Sequence, residues 1–301
     1  MNIFTEVIEN HILSANDRRW DRTNNRHWPS EASVELPNGN IVGKCLREQY
    51  FERNYTPYDR DIAVRIIRIQ KVGKAIEQME INHAKGAGVY VADDIEFKLN
   101  IDNIIISGRM DAIYKDSEGN DICVEYKTSE GYWFERDVYG KSFNRTAFPK
   151  HEHILQVMCY LKAHDHIPYG VLFYLNRDKL ETIEHKINLI NNTAYVNGCI
   201  TEFKMDSMIE RWKLLTNYLD EKILPPPDFC PAYNVNDIDS KHQEGKITKK
   251  VYEEWLTDDK VPGDTKCMYL CSFKNTCTKS LEVPVIDKPK ESGAIIICNK
   301  K

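Results

Sequence analysis

Three consecutive stretches, Gly108-Arg109-Met110-Asp111-Ala112-Ile113-Tyr114-Lys115, Asp116-Ser117-Glu118-Gly119-Asn120 and Asp121-Ile122-Cys123-Val124-Glu125-Tyr126-Lys127-Thr128, read as strand, turn and strand. Asp, Ser, Gly and Asn punctuate two runs rich in β-branched and aromatic residues, the pattern of an antiparallel hairpin. Successive side chains of a strand point to opposite faces. Ile122, Val124 and Tyr126 therefore share one face, and Cys123, Glu125 and Lys127 the other. The apolar face is expected to pack on a helix, which leaves Glu125 and Lys127 as neighbours at the strand's end with Asp111 across the hairpin. Two carboxylates and a lysine meeting at a sheet edge suit phosphodiester hydrolysis. Hard carboxylate oxygens hold Mg²⁺ and leave positions for water and a phosphate oxygen. The ion acidifies its water and offsets charge on the phosphorane, and the lysine orients the water or binds the phosphate. An ordinary charged pair on an exposed strand has the same local pattern.

On the N-terminal side, Ile62, Ile66, Ile69, Val72, Ile76 and Met79 form one stripe of a long helix over residues 61–85, ended by Gly86 and Gly88. Glu77 lies one turn after Gly73, where a missing side chain lets helix and sheet approach closely, and is the next candidate ligand. Val89 to Val91, Ile95 to Leu99 and Ile101 to Ser107 precede the hairpin as strands of an antiparallel meander. On the C-terminal side come an aromatic and charged loop over 131–149, a helix over 151–164, strands Tyr169 to Leu175 and Thr182 to Ile187, and a helix over 201–222 stopped by Pro225-Pro226-Pro227. A further helix is expected around Ile247 to Leu256. Residues 3–13 read as an amphipathic helix, and the arginine-bearing stretch from Asn16 to His27 as a solvated arm or a nucleic-acid contact. The order describes an α/β sandwich around a small mixed sheet.

The 301 residues are 42% hydrophobic and 29% charged, enough for one large domain or one domain with an elaboration. No apolar run approaches bilayer length; Ile104 to Ile106 and Ile295 to Ile297 lie in typical short stretches. The N-terminus lacks the order of a signal peptide, so a soluble, cytoplasmic protein is expected. The formal net charge of -5 does not exclude nucleic acid, because a local cationic groove coexists readily with an acidic exterior.

Nine cysteines without a secretion signal argue against a disulfide framework. Cys123, Cys159 and Cys199 lie in apolar patterns and read as small core residues. Cys267, Cys271 and Cys277 form a tight group on an irregular segment, and Cys45 or Cys230 is available as a fourth thiolate. Four cysteines accommodate either an iron-sulfur cluster or zinc, although the paired C-x2-C knuckles usual for zinc are absent.

In order along the chain, Gly73...Glu77, Gly108-x-x-Asp111, Glu125-x-Lys127 and Gln156-x-x-x-Tyr160 resemble the motifs of the PD-(D/E)XK nucleases, among them the RecB-like exonucleases of CRISPR-associated and phage-encoded kinds. The likeness runs from Pro29 to Cys277. It implies a restriction-endonuclease-like core, a small central mixed sheet flanked by helices. Glu77, Asp111 and Glu125 are then the Mg²⁺ or Mn²⁺ ligands, Lys127 assists the nucleophile, and Gln156 and Tyr160, on one helix face, position lysine or substrate. Many relatives carry histidine where Glu77 stands, and Glu80 is a weaker substitute. The likeness also implies that Cys45, Cys267, Cys271 and Cys277 hold a [4Fe-4S] cluster joining N- and C-terminal segments. The implied organisation is an N-terminal helix and arm (1–29), one nuclease domain (30–285) with cluster-binding segments at 41–55 and 265–280, and a tail (286–301). The implied activity is a deoxyribonuclease acting on single-stranded DNA or DNA ends in recombination, repair or CRISPR-type processing, with recombination or CRISPR-adaptation proteins as possible partners. Tyr132, Trp133, Phe134, Arg136, Lys141 and Arg145, in the loop after the hairpin, are candidates to stack on bases and touch phosphates; the loop also fits a lid. The alternative is a nuclease-like fold that binds DNA or a partner without turnover and keeps a structural metal site.

Overall fold

Asn-Asn, Asn-Gly and Asp-Asn pairs set the strand order, because both central residues of a type I′ hairpin need positive φ and these residues tolerate it. Asp102-Asn103 (φ 51° and 67°), Asn191-Asn192 (49° and 60°) and Asn197-Gly198 (50° and 82°) each reverse the chain in this way. The computed structural model describes residues 3–14, 25–60, 63–138, 147–257 and 262–281. The chain divides into two compact units, Met1–Lys44 with Ile62–Glu221, and Cys45–Asp61 with Lys222–Lys301.

The first unit is mixed α/β, a central mixed sheet flanked by helices. Its strands are β1 (Arg26–His27), β4 (Tyr90–Ile101), β5 (Ile104–Lys115), β6 (Asp121–Ser129), β7 (Gly170–Asn176), β8 (Thr182–Ile190), β9 (Thr193–Val196) and β10 (Cys199–Lys204). They run in the order β1-β5-β6-β7-β8-β9-β10, with β4 also on β5. A small ribbon, β2 (Ser33–Glu35) and β3 (Ile41–Gly43), stands apart from this sheet. Strand β4 pairs with β5 antiparallel along almost its whole length, while β6 pairs with β5 only from Ala112↔Val124 to Lys115↔Asp121. The hairpin therefore parts at Asp111. On its other edge β6 pairs in parallel with β7 from Cys123↔Gly170 to Ser129↔Asn176, Lys127 lying beside Tyr174.

Helix α5 (His151–Ala163) covers the Cys123 face of the sheet, its Val157 close against Gly170, and joins α6 (Met205–Asp220) in the main core with Leu172, Met208 and Trp212. Helix α3 (Val64–Ala87) covers the other face, where Ile81 packs with Ala112, Tyr114 and Val124. Helix α1 (Ile3–Ser14) leans on α3 through Glu9 and Arg68 at 3.2 Å. A short turn α4 (Gly131–Trp133) runs into a wider helical turn, Phe134–Val138, after β6.

Several expectations are corrected here. The face of α3 turned inward carries Ile67, Gly73, Glu77 and Ile81, while Ile66, Val72 and Met79 are exposed. The buried line is displaced by about one residue from the isoleucine stripe, so the carboxylate of Glu77 joins Ile67 and Ile81 on the inward face. Residues 199–204 are a strand and not the start of a helix, and β9 precedes it. Cys199 is consequently exposed on the last strand instead of buried, and Phe134 is fully buried instead of available in a loop. Helix α3 does stop at Gly88, whose φ of 74° closes it.

The second unit contains α2 (Leu46–Arg53), α7 (Val235–Gln243), α8 (Lys249–Thr257), a wide turn Lys266–Leu270 and α9 (Lys274–Ser280). Its two chain segments are tied by backbone as well as side chains. Asp59 accepts from the N–H groups of Asn275 and Thr276 at the start of α9, and from Thr276 Oγ1 at 2.6 Å. Asp228 accepts from Leu46 N at 2.7 Å, and Arg47 donates to Pro225 O at 2.5 Å. Phe51 and Tyr58 meet Phe273 at ring separations of 5.4 and 5.0 Å.

Candidate active site

The parting of β5 and β6 is filled by a side chain. Asp111 would lie opposite Glu125 if the ladder continued; instead its Oδ2 accepts from Tyr126 N at 2.9 Å, a carboxylate taking the place of a strand carbonyl. Burial first, and then the neighbouring Glu125 charge, push the Asp111 carboxyl up to about 7, against the pull of Lys127.

Glu125, 2% exposed, is held in a closed ring of four residues from β6 and α5. Lys127 Nζ donates to Glu125 Oε1 and, at 3.2 Å, to Gln156 Oε1. Gln156 Nε2 donates to Tyr160 Oη at 2.5 Å, and Tyr160 Oη donates to Glu125 Oε2 at 2.9 Å. The directions are mutually consistent: an ammonium is the source of hydrogen bonds and a carboxylate their terminus. Lys127 is held above the ordinary lysine range, because the charges of Glu125 and Asp111 outweigh an opposing burial effect. The period of β6 puts Glu125 and Lys127 on the α5 face, and the i, i+4 spacing puts Gln156 and Tyr160 over them.

Glu77 comes from the opposite face. The approach of α3 to the end of β6 does not depend on the missing side chain of Gly73, since a Cβ there would meet only Thr128 Oγ1, at 3.4 Å, an ordinary contact. The Glu77 carboxylate binds Lys74 at 2.5 Å, and its pKa is raised by burial and by Asp111 while Lys74 opposes. Lys74 also reaches Asp94 at 3.3 Å, and Arg109 reaches the same carboxylate at 3.3 Å. Lys74, Asp94 and Arg109 escaped the sequence reading. Lys74 was accessible to it, standing one turn before Glu77; Asp94 enters through a left-handed residue (φ 50°) in β4. Glu80 lies one turn beyond Glu77, 3.7 Å from His83, outside the ring.

Asp111 feels the charge of Glu125, and Glu77 that of Asp111, with Lys127 and Lys74 as the neighbouring cations. Among the described residues, no three His, Cys, Asp or Glu side chains stand in a ready-made metal-holding arrangement. Glu77 and Glu125 are turned onto lysines. The donor set nonetheless suits a hard divalent ion: all oxygen, and shielded enough from water that burial, and then the Glu125 charge, hold Asp111 back from ionising.

The four cysteines singled out above all fall in the second unit. Cys45 precedes α2, Cys267 lies in the wide turn, Cys271 follows it and Cys277 is in α9. The Cys45 thiol is pushed up to about 11 by burial and Asp228. Cys271 rises to about 12 through burial and then Glu48, with smaller contributions from Cys45 and Cys277. Cys267 is raised by burial and by Cys45, Cys271 and Cys277. Cys267 and Cys271 thus each feel Cys45 and Cys277, but among the described residues no three of these thiols stand in a metal-holding arrangement. Cys230 has another setting, with Sγ 2.8 Å from Ala232 O.

Of the nucleic-acid candidates, Tyr132 and Trp133 are outward and adjacent, ring centroids 5.3 Å apart, and the Arg136 guanidinium lies 4.1 Å from the Trp133 ring. Lys141 and Arg145 lie outside the described residues, as do Arg18, Arg19 and Arg22.

No protein-family profile matches the chain, and no curated protein matches it. Solved structures do. The structure of SSO0001 is 18% identical over 76% of this chain and 90% of its own, with a TM-score of 0.44. An alkaline exonuclease (LHK-Exo) from Laribacter hongkongensis is 11% identical over 67% of this chain and 84% of its own, with a TM-score of 0.34. The same exonuclease in complex with dAMP gives a TM-score of 0.32 at 11% identity, over 67% and 85% of the two chains. These are distant likenesses, and the site's own geometry is what bears on function. No helix among the described residues is long and apolar enough to cross a membrane.

Proposed function

We propose that the protein is a Mg²⁺- or Mn²⁺-dependent deoxyribonuclease that hydrolyses phosphodiester bonds in single-stranded DNA or at DNA ends. One observation carries the reading: the ring Glu125–Lys127–Gln156–Tyr160 closes beside Asp111 and Glu77 at the point where β5 and β6 part. Glu77, Asp111 and Glu125 are the residues to hold a divalent ion, which would supply an acidified water and charge neutralisation at the phosphate. Lys127, fixed by Glu125 and Gln156, presents a proton donor and positive charge to a phosphate oxygen or to the attacking water. Gln156 and Tyr160 keep the ammonium and the carboxylate in register, and α5 excludes bulk water from Glu125. Lys74, bound to Glu77, is displaced or rotated when that carboxylate takes a new partner.

In the second unit, Cys45, Cys267, Cys271 and Cys277 are the residues to hold an iron-sulfur cluster, or zinc in its place, as a clip between segments 45–61 and 222–281. Its role in this reading is structural, apart from the hydrolytic centre.

Degradation of labelled single-stranded DNA in Mn²⁺ tests the proposal, using strands blocked at one end or the other. The wild type cuts, and Asp111→Asn and Lys127→Met lower the rate by at least a hundredfold. A second reading, binding without turnover, draws on the engagement of Glu77 and Glu125 by lysines. DNA binding by wild type and variants alike, with no cleavage by any, decides for it.

A further inference from the structure

The turn after β6 is built to hold two aromatic rings out of the protein. Gly131 is pinned at its start, its N–H donating to Asp178 Oδ2 at 2.7 Å, and a Cβ there would come within 3.0 Å of that oxygen. Asp178 is itself set by Asn176, at the end of β7. Phe134, fully buried in the main core, anchors the other end. Tyr132 (65% exposed) and Trp133 (40% exposed) lie between these two anchors and cannot turn inward without uprooting one of them. Glu130 pairs with Arg65 of α3 at 3.2 Å, and Glu135 with Lys179 beyond β7, so the turn is braced on both sides.

Burying large aromatic surface is among the strongest drives available to a side chain, and two adjacent rings held in water are costly. The Arg136 guanidinium lies 4.1 Å from the Trp133 ring and 5.6 Å from the Tyr132 ring. The rings meet edge to face at 79°, so they form a corner, and an exposed ring face backed by a cation matches an unpaired nucleobase followed by a phosphate. A base inside a duplex offers neither face, since both are stacked. Tyr132 stands only five positions after Lys127, at most about 17 Å of extended chain between their Cα atoms. A base on these rings therefore belongs to the first few nucleotides beside the phosphate at Lys127.

We infer that Tyr132, Trp133 and Arg136 form a stacking site for an unpaired base next to the bond that is cut, making single-stranded nucleic acid the substrate form the centre accepts. This deepens, and for its placement rests on, the nuclease reading of the Lys127 centre. The test is binding without turnover. Fluorescein-labelled 12-nucleotide oligothymidylate and a blunt duplex of equal length are titrated by anisotropy in Ca²⁺ buffer, full-length protein throughout. Trp133→Ala weakens oligothymidylate binding about tenfold, Trp133→Phe by less than threefold, and neither moves duplex affinity more than twofold. Arg136→Met weakens the single strand and reduces the salt dependence of its binding. An abasic nucleotide scanned along the strand abolishes the Trp133→Ala effect at one position, which reads the register. Matching melting temperatures confirm the variants' fold. Unchanged oligothymidylate affinity in Trp133→Ala, or equal losses on strand and duplex, overturns the inference. Base-dependent binding without cleavage sinks the nuclease proposal alone, and cleavage without the Trp133 effect sinks the stacking site alone.

Discussion

Tyr160→Phe isolates the hydrogen-bond ring from every other property of the site. The substitution removes one oxygen from a side chain that is 1% exposed and leaves its ring packing intact. Two bonds go with it, the donation to Glu125 Oε2 at 2.9 Å and the acceptance from Gln156 Nε2 at 2.5 Å. A hydrogen bond to a charged group contributes about 1.5–3 kcal/mol, and no water replaces it at a site sealed by α5. The expected loss is about 2–3 kcal/mol in urea unfolding at pH 7. In a Glu125→Gln background the phenol donates to a neutral amide, so the same change costs about 1 kcal/mol, a coupling of about 1–2 kcal/mol. A cost below about 0.5 kcal/mol in the wild type, or an equal cost in both backgrounds, would refute the charged ring.

Two glycines separate in sign. At Gly73 a methyl group meets only Thr128 Oγ1 at 3.4 Å, and Gly73→Ala is expected to stabilise by up to about 1 kcal/mol, read as a raised melting temperature. At Gly170 it would stand 2.4 Å from Val157 Cγ1 and 2.8 Å from Cys123 Sγ, so Gly170→Ala costs about 1–3 kcal/mol by the same assay. His185 is buried and its pKa is depressed to about 4 by desolvation. Its contribution is complete above the unfolded value of about 6.5 and is lost as pH falls toward 4, about 3 kcal/mol in all. Urea midpoints between pH 7 and 4.5 should show that slope, and His185→Gln should flatten it. Anaerobically purified protein carrying a cluster shows broad absorbance in the blue that Cys45→Ser diminishes; zinc in its place gives no band, and metal analysis finds it.

Much of the candidate site's local geometry was legible because β6 alternates strictly and α5 repeats by helical turns. Glu125 with Lys127, and Gln156 with Tyr160, are local patterns that need only a period. Glu77 was legible as a residue but not as a face. Hydrophobic periodicity points to Ile66, Val72 and Met79, whereas the inward line of α3 includes a carboxylate whose partners are distant in sequence. The strands β9 and β10 were missed although Asn191-Asn192 and Asn197-Gly198 announce their turns; an apolar run toward Trp212 made helix the simpler reading. Phe134 was misplaced for a related reason. A charged, aromatic segment looks like a loop until one ring is found in the core.

If the protein is the nuclease proposed above, Asp111 has a second duty that bears on how an inactive variant is made. Its carboxylate wedges two ribbons open, and Tyr126 has spent its amide hydrogen on the wedge. With alanine at 111 that amide loses its acceptor, and the ribbons are free to zip one step further, narrowing the mouth through which a phosphate must pass. A variant meant to trap DNA uncut would then refuse it for want of an entrance, a failure easily mistaken for lost chemistry. Asparagine keeps the wedge.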